Sequence, residues 1–303
     1  MISAKFLEEQ TNEVQELYKR RKQDFNEIET IYNKQLQYIT KEELLKYWKD
    51  KKPTSLIFLV QQKNLISAYI EWNKKINPDI KNAIKEIALE ELDKTLDKET
   101  IAKSTFTRKE LMGVIGRLNN DSDKFICLAL FEGIKGEHYR DLFYFNIEDV
   151  DDNLVATLRS GKKIKISNNL KIYADRALKE TRRVIDLGFA LRSEPLKPTD
   201  KYPVRVKANV DYEYTDERTD IQLAQFFKNK FISIKKETGC NITTQSLRNS
   251  GKIEMIKKLA GDRTDYYSVI LENQDIIAEK YGRDSSVKKW LLKYAECLLK
   301  REY

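Results

Sequence analysis

The residues of this chain best suited to chemistry are cations set next to glycines. Lys135 lies in Gly133-Ile134-Lys135-Gly136-Glu137, Lys162 and Lys163 follow Gly161, and Arg283 follows Gly282. A further stretch, Ile242-Thr243-Thr244-Gln245-Ser246-Leu247-Arg248-Asn249-Ser250, carries Gln245, Arg248 and Asn249, with Lys252 just beyond. Lysine and arginine both hold phosphates, lysine as a point charge and arginine as a two-pronged fork. Thr243 or Thr244 can cap a helix here, which turns its N-terminal amides outward as another phosphate site. The chain has a single histidine, His138. Tyr294 is either a hydroxyl available for chemistry or a core residue sharing a helical face with Leu291, Leu298 and Leu299. Cys127, Cys240 and Cys297 show no CxxC spacing, so no metal or cofactor is expected.

The elements that must position these residues are mostly helical. Gly and Pro are scarce, at 10 and 5 of 303 residues, which fits helices with few loops. The first segment, Phe6 to Tyr38, reads as long helices with apolar residues at near-heptad spacing, either a core-facing stripe or a self-pairing arm. Thr40-Lys41-Glu42-Glu43 and Thr107-Arg108-Lys109-Glu110 are capping boxes that open helices. Pro53-Thr54-Ser55 opens another helix through Trp72, and Pro78-Asp79 is expected to start one more. Ala102-Lys103-Ser104 reads as a linker. Asp121-Ser122-Asp123 caps an apolar helix, Phe125 to Phe131, that must be buried. Leu154 to Leu158 and Ile164 to Ile166 read as two strands joined around Ser160-Gly161, the second with one apolar and one basic face. Helix is expected again over Leu170 to Leu187, a loop over Pro195 to Pro203, and a short strand at Val204-Arg205-Val206. From Thr219 onward the chain reads as helices ended by Gly239, Gly261 and Gly282.

Charge divides unevenly along the chain. Through Ser104 there are 19 basic and 18 acidic residues, and after it 37 and 30, within a formal total of +8. A basic excess in one part of a chain suggests an anionic partner. No apolar run approaches the ~18 residues of a membrane span, and the start lacks a signal peptide's apolar core. A reducing, cytoplasmic setting is therefore expected, and the Lys-, Asn- and Ile-rich, Gly- and Pro-poor composition is compatible with a low-GC bacterial host.

Taken together, these segments resemble the active site of the tyrosine recombinases (phage integrases). Leu128 to Leu142 resembles the apolar helix, glycine turn and Glu-Leu helix that open that site, and Asn146 to Val150 the stretch before its hairpin. The resemblance implies that Lys135 stands where the family has an arginine that clamps the scissile phosphate. It implies that Lys162 or Lys163 holds the place of the hairpin lysine that protonates the leaving oxygen. Gln245 stands at the first His of the family's t-x-H-x-L-R-H, Arg248 at its retained arginine, and Arg283 at the His of L-G-H-s-s-i. Tyr294 falls slightly later than the family's nucleophile. The implied fold is α+β and two-domain: a helical core-binding-like domain over 1–104 and a catalytic-like domain over 105–303, closing as a C around duplex DNA.

Strand transfer needs a nucleophile, arginine forks and proton donors, and positioned proton transfer or charge stabilisation each supplies on the order of 10²-fold. With Lys135, Gln245 and Arg283 substituted and Tyr294 displaced, loss of strand exchange is the expectation. The substitutions keep positive charge, and affinity for DNA is mainly phosphate neutralisation. The chain in this respect resembles the recombinase-fold repressors that hold SPβ-like temperate phages in lysogeny. A sequence-specific repressor of double-stranded DNA operators is thus expected, gripping DNA through Lys135, Lys162, Lys163, Gln245, Arg248, Asn249, Lys252 and Arg283. Self-association and an antagonist protein or peptide are left open. Two other readings remain: an active recombinase with a divergent site, and an assembly protein that binds no specific DNA.

Overall fold

The computed structural model describes residues 2–103, 105–186, 190–210, 213–214 and 216–282. Arg283 and Tyr294 lie outside the described residues. The chain forms two compact units, Met1–Ile101 and Ala102–Tyr303. The fold is mostly helical, with two small antiparallel sheets of two strands each. Among the described residues no helix is long and apolar enough to cross a membrane.

The first unit contains α1 (Ala4–Glu8), α2 (Asn12–Tyr32), α3 (Lys41–Lys51), α4 (Leu56–Ile76), α5 (Leu89–Lys94) and the start of α6 (Lys98–Lys103). The helical segment from Phe6 to Tyr38 divides: α1 ends at Glu8 and α2 starts after Thr11. Its apolar stripe faces its own core, where Phe6, Tyr18, Phe25 and Ile28 are buried, so α2 is not a free arm. Phe6 meets Tyr18 and Tyr69 edge-on at 5.1 and 5.2 Å, the favoured aromatic geometry. The Thr40 box forms as expected, with Glu43 N donating to Thr40 Oγ1 and Thr40 N to Glu43 Oε2. Ser55 caps α4. Pro78-Asp79 starts no helix. The Asn77 side chain instead accepts from Asp79 N at 3.2 Å, and this local bond closes a turn. Ala102 and Lys103 are helical, at the end of α6, and the division between the two units falls beside them.

The second unit is built on α8 (Asp121–Phe131), in which every residue from Ser122 to Phe131 except Lys124 is buried. Burying one Leu or Phe side chain contributes roughly 1.5–3 kcal/mol, so this helix anchors the unit. Its N-cap is Asn120, not the expected Asp-Ser-Asp. The first-turn amides of Asp121 and Ser122 donate to the Glu180 carboxylate, an anion where the helix dipole favours one. Around α8 lie α7 (Arg108–Ile115), capped by the expected Thr107 box, α9 (Arg140–Phe143), and α10 (Asn168–Lys179). Strands β1 (Val155–Thr157) and β2 (Lys163–Lys165) pair with Ala156 opposite Ile164. On β2 Ile164 is buried and Lys163 and Lys165 are exposed, as the alternation predicts.

Helix α10 stops at Lys179, short of the expected Leu187. Glu180 is held by the α8 amides in extended conformation, and β3 (Arg182–Asp186) then pairs with β4 (Leu191–Pro195). The Asn120 side chain accepts from Val184 N and donates to Val184 O, both at 2.8 Å, and so fixes β3 against the start of α8. Val204-Arg205-Val206 is buried but is not a strand; only the neighbouring Lys207 bridges, to Leu196.

The chain closes with α11 (Asp220–Thr238), α12 (Thr244–Ala260), α13 (Tyr266–Glu272) and α14 (Gln274–Tyr281). Gly239, Gly261 and Gly282 terminate α11, α12 and α14 as expected. Helix α12 crosses the end of α8 at Gly251, where a Cβ would lie 1.7 Å from the Phe131 carbonyl oxygen.

Candidate functional site

Beyond Phe131 the chain must turn sharply to present Lys135. Gly133 takes φ 96° with its Cα against the Lys280 backbone, and Gly136 takes φ 70° against Asp141. His138 and Tyr139 follow with φ of 46° and 68°, a left-handed pair that costs of order 1–3 kcal/mol each. Neighbouring contacts hold it in place. The Tyr139 ring stacks on Phe227 at 4.5 Å, and its hydroxyl meets Thr244 Oγ1 at 2.9 Å. Lys135 Nζ then lies 4.8 Å from the centre of that ring, a cation–π contact. Tyr139 is thus the platform for Lys135 and its tie to the start of α12.

The hairpin is positioned by one buried carboxylate. Asp141 is 4 % exposed and accepts from both Ser160 N and Ser160 Oγ at 2.9 Å. That fixes the turn carrying Lys162, whose Nζ donates to Lys280 O at 2.7 Å. Lys163, one residue on, faces solvent. Arg248 comes from the first turns of α12, which Thr243 caps by accepting from Ser246 N at 3.0 Å. Its Nη2 donates to Tyr281 O. Lys162 and Arg248 therefore both point their donors at the C-terminal carbonyls of α14.

A buried polar lattice holds these elements together. Glu132 is 2 % exposed and accepts from Arg108 Nη1 at 2.8 Å, Ser167 N at 2.9 Å and Ser167 Oγ at 2.5 Å. Arg108 Nε reaches Glu254 at 2.9 Å. The Tyr281 hydroxyl donates to Phe131 O at 2.8 Å, and burial pushes its pKa well up, so it stays a donor. Helices α7, α8, α12 and α14 and the start of α10 are locked by these few bonds.

Electrostatics show the crowding of the three cations. Burial pushes the Lys135 ammonium below the ordinary lysine range, and the Arg248 charge pushes it further. Burial lowers Lys162 as well, with Asp141 opposing and Arg248 reinforcing the fall. His138 is turned elsewhere: its Nε2 lies 3.5 Å from Asp220 Oδ2 and 3.7 Å from Glu137 Oε1.

The structure therefore brings together Lys135, Lys162 and Arg248. Gln245 is exposed on α12 and donates to Asn249 Oδ1 at 2.7 Å. Asn249 is only 8 % exposed. Lys252 drops out of any contact surface: it is 1 % exposed, with its ammonium 6.0 Å from the Tyr281 ring centre. The sequence reading missed Tyr139, Glu132, Asp141, Arg108 and Tyr281, which position the cations. A buried acid after an apolar helix, as in Phe131-Glu132, is the one local signal that could have found any of them. A cluster of two ammoniums and a guanidinium can clamp a phosphodiester. No imidazole stands among these three to move a proton.

Residues 105–301 match the family model described as MrpR, C-terminal catalytic domain. No curated protein matches the chain.

Proposed function

This chain belongs to the MrpR family, whose C-terminal domain is of tyrosine recombinase type, and on that premise we propose that it is a sequence-specific repressor that binds double-stranded DNA without cutting it. The observation that carries the reading is that Lys162 and Arg248 both donate to the end of α14, with Lys135 held on Tyr139, which is tied to the start of α12, while the one histidine, His138, faces Asp220. The cations neutralise backbone phosphates, which supplies most of the affinity for DNA. Base reading falls to surfaces that include Gln245, since Asn249 and Lys252 are buried. In this reading the protein holds operators of a temperate phage in the lysogenic state and has lost strand exchange.

The test is binding to genomic fragments at physiological salt, followed by a denaturing gel. Tight binding to a few related sites with no covalent adduct is the expected result. The family's description as a catalytic domain favours a second reading, an active recombinase with a divergent site. An adduct that disappears in Tyr294→Phe would establish that reading and overturn the first.

Two further results follow from the cation cluster. Arg248→Ala is expected to weaken operator binding by about 10- to 100-fold, the equivalent of one charged hydrogen-bonding contact. An unchanged Kd in a folded variant would remove Arg248 from the interface. The second concerns pH. Lys135 and Lys162 have pKa values depressed in the free protein, and a bound phosphate raises them. Between the two values binding takes up protons, so affinity should fall as pH rises toward the ordinary lysine value of about 10.4. Calorimetry in buffers of different ionisation enthalpy reads this uptake directly, and no buffer dependence on the alkaline side would place both lysines away from phosphate.

A further inference from the structure

A cavity of about 220 Å³ lies in the second unit among β3, α11 and the segment 196–210, and none of the three clustered cations lines it. Its walls carry an excess of buried positive charge. Arg205 is 3 % exposed. Its guanidinium donates to Ala177 O at 3.0 Å, Leu178 O at 2.8 Å and Lys197 O at 2.7 Å. Those acceptors are neutral, and its Nε has no hydrogen-bond partner. Arg183 Nε and Nη2 likewise make no hydrogen bond, and the Arg183 ion pair with Asp123 is loose at 3.7 Å. Asp123 is engaged by Lys230 at 2.6 Å. Lys207, also on the wall, pairs with Glu194 at 2.7 Å. Burial pushes the Lys230 ammonium below the ordinary lysine range; Asp123 opposes this and Arg183 adds to it. A buried guanidinium with only neutral acceptors, as at Arg205, and buried donors left without hydrogen bonds, as at Arg183, are unfavourable, and an entering anion relieves them. The remaining wall is apolar, with Leu196, Val206 and Phe226.

We infer that this cavity binds a small organic anion, with one carboxylate or phosphate group set against Arg183 and Arg205 and an apolar body against Leu196, Val206 and Phe226. A space of this size takes a single ring or a short branched chain, and excludes a nucleic-acid duplex. The inference does not depend on the repressor reading, because it concerns other residues.

The experiment is titration calorimetry of the full chain with benzoate, phenyl phosphate and uncharged benzamide, each repeated with Arg183→Gln. The expected result is saturable binding of at least one of the two anions, with benzamide and the variant each weaker by roughly tenfold or more. The better of the two anions identifies the head group. Should Arg183→Gln fail to fold by circular dichroism, Phe226→Leu carries the same test from the apolar wall. Benzamide binding as tightly as the anions, an unchanged Kd in the folded variant, or no saturable heat from either anion at millimolar concentration would each overturn the inference.

Discussion

Gly251→Ala is expected to destabilise the second unit by at least about 3 kcal/mol, the upper end of ordinary overpacking costs. The new methyl would lie 1.7 Å from Phe131 O and 2.5 Å from the Tyr281 hydroxyl. The first of these neighbours is backbone. The second is fixed, because the Tyr281 hydroxyl itself donates to Phe131 O. Neither helix can yield alone, so α12 and α8 must separate. Separation pulls Arg248 from Lys135, so on the proposed reading DNA binding should fall with stability. Urea unfolding followed by circular dichroism measures the loss. Gly113→Ala is the control: Gly113 lies inside α7 with nothing within 4 Å of a Cβ, and replacing an exposed helical glycine should stabilise by roughly 0.5–1 kcal/mol. Equal midpoints for Gly251→Ala and the parent would mean that the two helices do not cross as described.

Asp123→Asn should cost about 3–5 kcal/mol, because it breaks a buried pair and leaves Lys230 with only the Glu180 charge to oppose its own. Asp123 is fully buried and Lys230 is 5 % exposed. The loss should depend on pH in a defined sense. Lys230 is a base whose folded pKa lies below its unfolded value, and removing Asp123 lowers it further. Between the folded and unfolded values the unfolded chain binds more protons, so stability rises with pH. Relative to the parent, the variant should therefore lose most below its own folded Lys230 pKa and recover as pH rises to the parent's folded value, which lies below the unfolded value of about 10.4. Asp123→Leu combined with Lys230→Met should restore much of the stability at pH 7. A loss that is flat with pH would contradict a charged Lys230 as its source.

Features written in a few neighbouring residues were legible in the sequence. The capping boxes at Thr40 and Thr107 and the terminators Gly239, Gly261 and Gly282 depend on bonds within one helical turn, and they stand where the spacing put them. The alternation of Lys163, Ile164 and Lys165 gave both the strand and its faces. The errors fall where a distant partner decides. Arg182–Asp186 is a strand because β4 and the Asn120 side chain take its hydrogen bonds, and neither is visible in five residues read alone. Pro78 carries a helix-start signal, but Asn77 uses its side chain to close a turn first. For the site, the glycine-flanked cations Lys135 and Lys162 and the capped Arg248 were readable as types at spacings. Which side of α12 faced inward was not, and so Lys252 was placed on the surface. The Lys230–Asp123 pair spans 107 residues, a separation at which residue type alone names no partner.

In the proposed reading, a DNA phosphate would have to come to the end of α14. Lys162 and Arg248 donate to Lys280 O and Tyr281 O, and a helix C-terminus carries roughly half a negative charge. The cluster thus keeps a resident counter-charge made of backbone. A cluster already partly neutralised takes up less phosphate charge, so in the proposed reading fewer counterions leave the DNA when it binds. Three bare cations would each contribute about −0.9 to the slope of log K against log salt. Here the cluster should contribute less than that full sum, and grip on DNA should survive rising ionic strength better than a count of its lysines and arginine implies.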